Sequence, residues 1–164
     1  MPDAAPAERF AALGRALRSW ARAEPATYAL LYGAPVPGYQ APAERTTGPG
    51  TRVVRLLLDV AAQAHAAGTL VVPDEPAPAP PLAAGLEGIR TQFGIALPDA
   101  VLTRGVLVWA ALFGCVDFEV FGQYGPDGLG DPDALFERHL AVLAAEPGGV
   151  SQPAKRSRSR ITAA

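Results

Sequence analysis

The main apolar feature of the chain is the segment 98–122, which the spacing predicts as one helix. Between Arg104 and Asp117, twelve consecutive residues carry no charge, so this part is apolar on every side. Such a helix must be covered on more than one side, yet twelve residues fall short of the roughly 20 that cross a bilayer. The pattern predicts a core helix, or a core helix that also faces a second subunit, with Asp99 as N-cap and Gly122 near its end.

The first part of the chain predicts two helices, over residues 4–24 and 25–33. Four apolar residues recur at helical spacing on one stripe of the first helix: Phe10, Leu13, Leu17 and Trp20. Three arginines lie on its opposite face: Arg15, Arg18 and Arg22. We expect a solvated arginine surface, with a contact face for a preceding domain as the alternative.

Two more helices are predicted before the long one. Residues 51–67 are amphipathic, with Thr51 as N-cap and Gly68 at the C-terminal end. A weaker helix is expected over residues 82–93, because two internal glycines each cost it about 1 kcal/mol relative to alanine. We expect this helix to be short, bent or mobile.

The last predicted helix, residues 131–146, has a strong start signal. Asp131 can accept bonds from first-turn amides, and Pro132 suits the first helical position. Two apolar stripes run side by side along it: Phe136, Leu140 and Leu143, and Leu135 and Val142. An apolar arc this broad is expected where a helix packs on its own subunit and on another.

Proline-rich and glycine-rich connectors lie at residues 34–50 and 69–81. The second connector contains the run PAPAPP, which favours extended polyproline geometry and is predicted to exclude helix. Residues 147–164 hold four basic side chains, no acid and no apolar periodicity, so we predict a disordered basic tail. The chain thus divides into a folded domain, 1–146, and this tail.

Charge and cysteine content restrict the partners and the compartment. The net charge is −2, but residues 1–146 hold 10 basic and 16 acidic side chains, a net charge of −6. An acidic body argues against nucleic-acid binding by the folded part, because phosphate contacts dominate that affinity. The single cysteine, Cys115, forms no intramolecular disulfide, and the N-terminus lacks the apolar stretch of a secretory signal. We expect a cytoplasmic protein that does not enter a membrane.

Catalytic and metal-binding patterns are not found in the sequence. It contains no GxGxxG, GxxxxGK[ST], HExxH, CxxC or GxSxG motif. Asp117 and Glu119 lie two positions apart on a helix, so they point away from each other. His65 and His139 have no second ligand at metal spacing. We therefore predict no enzyme activity, no metal and no cofactor.

Two segments resemble a known family. The first, WARAEPATYALLYGAPVPGY, covers 20–39, and the second, WAALFGCVDFEVFG, covers 109–122. Both are similar to the C-terminal domain of tetracycline-repressor (TetR) family regulators with a Trp-His-Gly-type helix. Four positions match that helix: Trp109, Gly114, Glu119 and Gly122. The position of the family histidine is occupied by Phe113, and the resemblance covers about residues 5–146.

The resemblance implies an all-α bundle of about six helices that senses a small apolar ligand. It also implies a homodimer in which the last two long helices of each copy form a four-helix bundle. The ligand-binding candidates are Trp20, Tyr28, Tyr32, His65, Phe93, Trp109 and Phe113. The dimer-interface candidates are Val116, Val120, Phe121, Phe136, Leu140 and Leu143. The alternative for the aromatic residues is plain core packing. For His65, at the edge of the apolar face of its helix, it is a bond to a carbonyl or water.

The family's helix-turn-helix head, which reads DNA in the major groove, has no counterpart in this sequence. We therefore expect the chain to contribute sensing and pairing to a transcriptional regulator and to reach DNA only through such a head. The gene product is then either truncated or naturally headless. The alternatives are a small helical enzyme using His65 or His139 as base, a separate small-molecule-binding protein, or weak nucleic-acid binding through the basic tail.

Overall fold

A computed structural model describes residues 5–33, 51–72 and 74–145 of the chain. These residues form helices and no strand, which confirms the predicted all-α class. The six helices are α1 (Pro6–Ala23), α2 (Pro25–Tyr32), α3 (Arg52–Ala66), α4 (Pro80–Phe93), α5 (Asp99–Val120) and α6 (Pro132–Ala145). The connector predicted at residues 34–50 and the tail predicted at 147–164 lie outside the described residues.

Proline begins several of these helices, because first-turn amides have no partner within the helix and proline has no amide hydrogen. Pro80 and Pro81 open α4 in this way. The prediction that the whole proline run excludes helix is therefore wrong at its last two residues. The helix predicted over residues 82–93 is present, with 14 residues from Pro80 to Phe93, and its C-cap is Gly94, where φ is +64°.

The ends of α5 and the start of α6 are set by local hydrogen bonds. Gly122 adopts φ +71°, and its amide donates to the Glu119 carbonyl at 3.2 Å while the Gln123 amide donates to the Phe118 carbonyl at 2.8 Å. This pair of bonds is a Schellman ending, which favours glycine. At α6 the Asp131 carboxylate accepts the Ala134 amide at 2.9 Å, which confirms the predicted cap.

The predicted cap of α5 is wrong. Pro98, in extended conformation, occupies the N-cap position, and Asp99 already belongs to the helix. Its carboxylate forms an ion pair with Arg90 of α4 instead. Arg90 also donates to the carbonyl of Leu97 at 2.9 Å, so one arginine fixes the connection between α4 and α5.

Helix α1 packs against α3, α5 and α6 through a stripe of small and apolar residues: Phe10, Gly14, Leu17 and Ala21. The predicted stripe is therefore partly shifted, because Leu13 and Trp20 are only half-buried. Gly14 explains the shift, since a Cβ there would lie 2.5 Å from Cδ2 of Leu140. The missing side chain lets α1 approach α6 closely.

Helix α5 contacts α1, α3, α4 and α6. Its innermost side chains are Val101, Leu102, Val108, Leu112 and Val116. By length and composition alone, α5 is also apolar enough to cross a membrane. That resemblance is weak evidence, because the core helix of a soluble protein meets the same criteria.

Candidate functional site

An apolar cavity of about 130 Å³ lies between the N-terminal half of α5 and the helices packed around it. Its lining comprises Phe10, Val54, Leu57, Leu58, Val60, Ala61, Ile89, Phe93, Leu97, Val101, Leu102, Gly105, Val106, Val108, Trp109 and Leu143. Every one of these side chains is apolar, and the Trp109 indole N–H is their one polar side-chain group. The cavity can therefore remove an apolar molecule from water, but these side chains offer nothing to pair with a charge.

Three of the candidate site residues predicted from the sequence line this cavity. Phe93 and Trp109 were ligand-binding candidates, and Leu143 was a dimer-interface candidate. His65 is half-buried in the last turn of α3 and is not among the lining residues. The α3 residues in the lining escaped sequence reasoning, because an aliphatic helix face facing a cavity has the same pattern as one facing filled core.

The remaining aromatic candidates form a cluster beside the cavity, between α1, α2 and α5. Ring centroids are 5.8 Å apart for Trp20 and Tyr28, 5.3 Å for Tyr28 and Tyr32, and 4.8 Å for Tyr32 and Phe113. Phe113 then contacts Trp109 at 6.1 Å. Trp109 is thus the residue where the aromatic cluster and the cavity meet. Phe113, at the position of the family histidine, takes part through its ring.

Tyr28 fixes α2 to the C-terminal half of α5. Its side chain is fully buried, and its hydroxyl donates to Oδ1 of Asp117 at 2.6 Å. Burial, and then the hydrogen bond to this carboxylate, raise the pKa of Tyr28 well above its usual range. The ring stays neutral and keeps donating throughout the physiological range. Sequence spacing separates Asp117 from Glu119, and each carboxylate indeed has its own partner.

An ion-pair network joins α1 to the end of α5 and the start of α6. Arg18 donates to both oxygens of Glu119, at 2.6 and 2.7 Å, and to Asp133 at 2.7 Å. The side chains of Arg18 and Glu119 are only 12% and 14% exposed. The Arg18 guanidinium also lies 4.9 Å from the centre of the Phe136 ring. The prediction of a solvated arginine surface is therefore wrong for Arg18.

Arg15 and Arg22, the other two arginines of the predicted surface, lie at the edge of this network. Arg15 forms two bonds of 2.7 Å to Glu137 in an exposed pair, and Arg22 donates to Asp133 at 3.2 Å. The Arg15 hydrogen bond lowers the pKa of Glu137. The Arg18 hydrogen bond does the same to Asp133. These arginines pair with acids of their own chain. Their packing therefore does not support the alternative that this surface contacts a preceding domain.

An outer apolar face, formed by α5 and α6, remains uncovered in the single chain. We define it as Leu107, Ala111, Gly114, Cys115, Phe118, Leu135, His139 and Val142. The spacing of three and four places these residues on one stripe of each helix, and the central ones line one shallow groove. Leu107, Phe118 and Val142 are 61%, 52% and 50% exposed.

None of the six dimer-interface candidates belongs to this outer apolar face. Val116, Phe136 and Leu140 are buried within the protomer. Val120 packs against the same core, Leu143 lines the cavity, and Phe121 is 44% exposed. On α6, Phe136 and Leu140 of the first predicted stripe are buried within the protomer, whereas Leu135 and Val142 of the second stripe belong to the outer apolar face.

Comparison with known proteins gives matches along most of the chain. The model of the tetracycline repressor-like, C-terminal domain family matches residues 10–143. The HTH-type transcriptional regulator Rv1816 of Mycobacterium tuberculosis (strain H37Rv) is 46% identical over 134 residues. The HTH-type transcriptional regulator Mb1846 of Mycobacterium bovis is equally similar. Each alignment covers 82% of this chain and 57% of the relative, so the chain spans little more than half the length of these regulators.

The matched range contains the cavity, the aromatic cluster and the ion-pair network, and it includes the outer apolar face. The family resemblance in the sequence rests on residues 20–39 and 109–122. Most of their described residues lie in α1, α2 and α5. The chain belongs to the tetracycline repressor-like, C-terminal domain family.

Proposed function

We propose that this chain is the ligand-sensing and dimerisation part of a transcriptional regulator. The observation that carries the proposal is the combination, in one small helical domain, of an apolar cavity and a separate uncovered apolar face. Cavities of this kind bind small molecules, and contiguous exposed apolar patches mark protein interfaces. The similar mycobacterial proteins are named as HTH-type transcriptional regulators, which supports a regulatory setting in the cytoplasm.

The domain's proposed mechanism is a shift between two helix arrangements. Ligand in the cavity would contact α3, α4 and α5, and α5 also carries most of the outer apolar face. A ligand that binds one arrangement better shifts the population toward it. Movement of α5 would thereby change how two copies pair. DNA would be reached through helix-turn-helix heads, whose spacing on two half-sites depends on that pairing.

The enzyme alternative has less support. Neither His65 nor His139 lines the cavity, and none of the lining side chains is titratable. A general acid or base must lie within hydrogen-bond reach of the reacting atom. Binding without chemistry is the function that these side chains favour.

Pairing can be tested by sedimentation at micromolar concentration. We expect a dimer for the wild-type chain and a monomer for Phe118→Glu and for Val142→Glu, because each variant places a charge in the outer apolar face. Leu30→Glu is the matched control, because Leu30 is 78% exposed on α2, outside that face, and it should remain dimeric. A monomeric wild type, or dimeric Phe118→Glu and Val142→Glu proteins, would contradict the proposed pairing.

A further inference from the structure

We infer that the cavity selects an uncharged hydrocarbon group and that Gly105 sets the size limit of that group. The inference rests on the proposed sensing role of the cavity and goes further by naming the class of ligand and a specificity-determining residue. Both parts follow from the chemistry of the lining and from the environment of one glycine in α5.

The lining determines the class of ligand. Among the residues that surround the cavity, none has a charged, hydroxyl or amide side chain. A carboxylate or ammonium group placed there would lose its hydration without gaining a partner, which is strongly unfavourable. A hydrocarbon group has no hydrogen bonds with water to give up, and it gains contact with close-packed aliphatic and aromatic side chains.

Gly105 lies inside the N-terminal half of α5 and contributes to the lining without a side chain. Glycine disfavours a helix interior relative to alanine, so its presence there calls for a packing or functional reason. Close helix packing is not the reason, because a Cβ at Gly105 would meet no atom within 4 Å. Gly14 is the opposite case, since a Cβ there would meet Leu140. Because Gly105 is itself one of the lining residues, we infer that a side chain at position 105 would project into the cavity.

The volume sets the size of the group. An apolar cavity of about 150 Å³ in another protein stays dry and binds benzene, and this one measures about 130 Å³. A single hydrocarbon ring, or an alkyl chain of similar volume, fits that space. We therefore take toluene as the probe and benzoate as its charged counterpart of similar shape.

The test is a calorimetric titration of the wild-type chain with toluene and with benzoate, repeated on Gly105→Leu and Gly88→Leu. We expect toluene to bind the wild type and benzoate to give no binding heat. Each methylene excluded from an apolar site costs about fourfold in affinity, so Gly105→Leu, with four side-chain carbons, should weaken toluene binding on the order of 100-fold. Gly88→Leu is the matched control, because Gly88 is exposed in α4 with no atom near its Cβ position, and it should bind toluene as the wild type does.

A second variant and a spectroscopic measurement distinguish a blocked cavity from a misfolded protein. Gly105→Ala adds one carbon, favours the helix and should weaken toluene binding by only about fourfold. In a Trp20→Phe background the remaining tryptophan, Trp109, lines the cavity, so its fluorescence should change on toluene addition. Loss of that response in Gly105→Leu, with unchanged circular dichroism, shows exclusion from the site.

The outcomes separate this inference from the proposed function. Benzoate binding as tightly as toluene would overturn the ligand class, and wild-type toluene affinity in Gly105→Leu would overturn the role of Gly105. If neither probe binds while sedimentation still shows a dimer, this inference fails and the pairing part of the proposed function stands. If toluene binds a chain that stays monomeric, the pairing proposal fails and the ligand class stands.

Discussion

The two halves of α5 are packed in different ways. Around its N-terminal half, aliphatic side chains of α3 and α4 leave about 130 Å³ unfilled. Around its C-terminal half, Tyr28 and Arg18 hold Asp117 and Glu119 by hydrogen bonds of 2.6 to 2.7 Å. Dispersion contacts have no fixed direction, whereas bonds to carboxylates are short and directional. This difference would make the N-terminal half the adaptable part, as the proposed ligand binding requires, and the C-terminal half the part that anchors α1 and α2.

The largest expected effect comes from Arg18→Ala. The substitution leaves Glu119, 14% exposed, without its bidentate partner and also removes the contact with the Phe136 ring. Breaking a mostly buried ion pair is strongly destabilising, and we expect a loss of roughly 2–4 kcal/mol in the free energy of unfolding. Urea denaturation followed by circular dichroism measures it.

Arg15→Ala is the control for this prediction. It breaks an exposed pair of the same chemistry on the same helix, and exposed pairs contribute little. Equal losses for the two variants would show that the C-terminal half is not held by its buried charges.

A smaller effect is expected for Tyr28→Phe. The change removes the hydrogen bond to Asp117 and keeps the ring, so we expect a loss of roughly 1–2 kcal/mol. Tyr32→Phe is the control, because Tyr32 packs in the same cluster whereas the bond to Asp117 comes from Tyr28.

The same residue predicts a pH dependence. Because the pKa of Tyr28 is raised in the folded protein, the unfolded chain loses this proton first. Stability is therefore full below pH about 10, the ordinary tyrosine pKa, and falls as the pH rises above it. This alkaline loss should be smaller in Tyr28→Phe, and identical pH profiles for the two proteins would contradict the role of the hydroxyl.

The smallest changes in stability are expected for alanine substitutions at Gly14 and Gly88, two glycines that the sequence alone does not distinguish. Gly14→Ala places a Cβ 2.5 Å from Cδ2 of Leu140, so overpacking should outweigh the gain in helix propensity and cost about 1 kcal/mol. Gly88→Ala meets no neighbour and should stabilise the chain by up to about 1 kcal/mol. Thermal unfolding of the two variants should shift in opposite directions, and a shift in the same direction would refute the close contact at Gly14.

Much of the fold could be predicted from local sequence patterns. The helical class, the cap at Asp131 and the end of α5 at Gly122 were predicted correctly. Each depends on hydrogen bonds within a few residues or on side-chain periodicity along one helix. Five of the aromatic ligand-binding candidates contact one another in the structure, namely Trp20, Tyr28, Tyr32, Trp109 and Phe113. Their role in ligand binding stays a prediction.

Contacts between helices could not be predicted from local sequence patterns. That Arg18 turns inward to Glu119 and Asp133 depends on partners more than 100 positions away. Gly105 and Gly14 both lie inside helices and the sequence does not distinguish them. The packing of neighbouring helices places Gly105 beside the cavity and Gly14 against Leu140. The sequence by itself determined where helices form, because that balance is local. The tertiary structure decided which apolar face is buried, which is lined by empty space and which remains outside, because those outcomes depend on how distant helices meet.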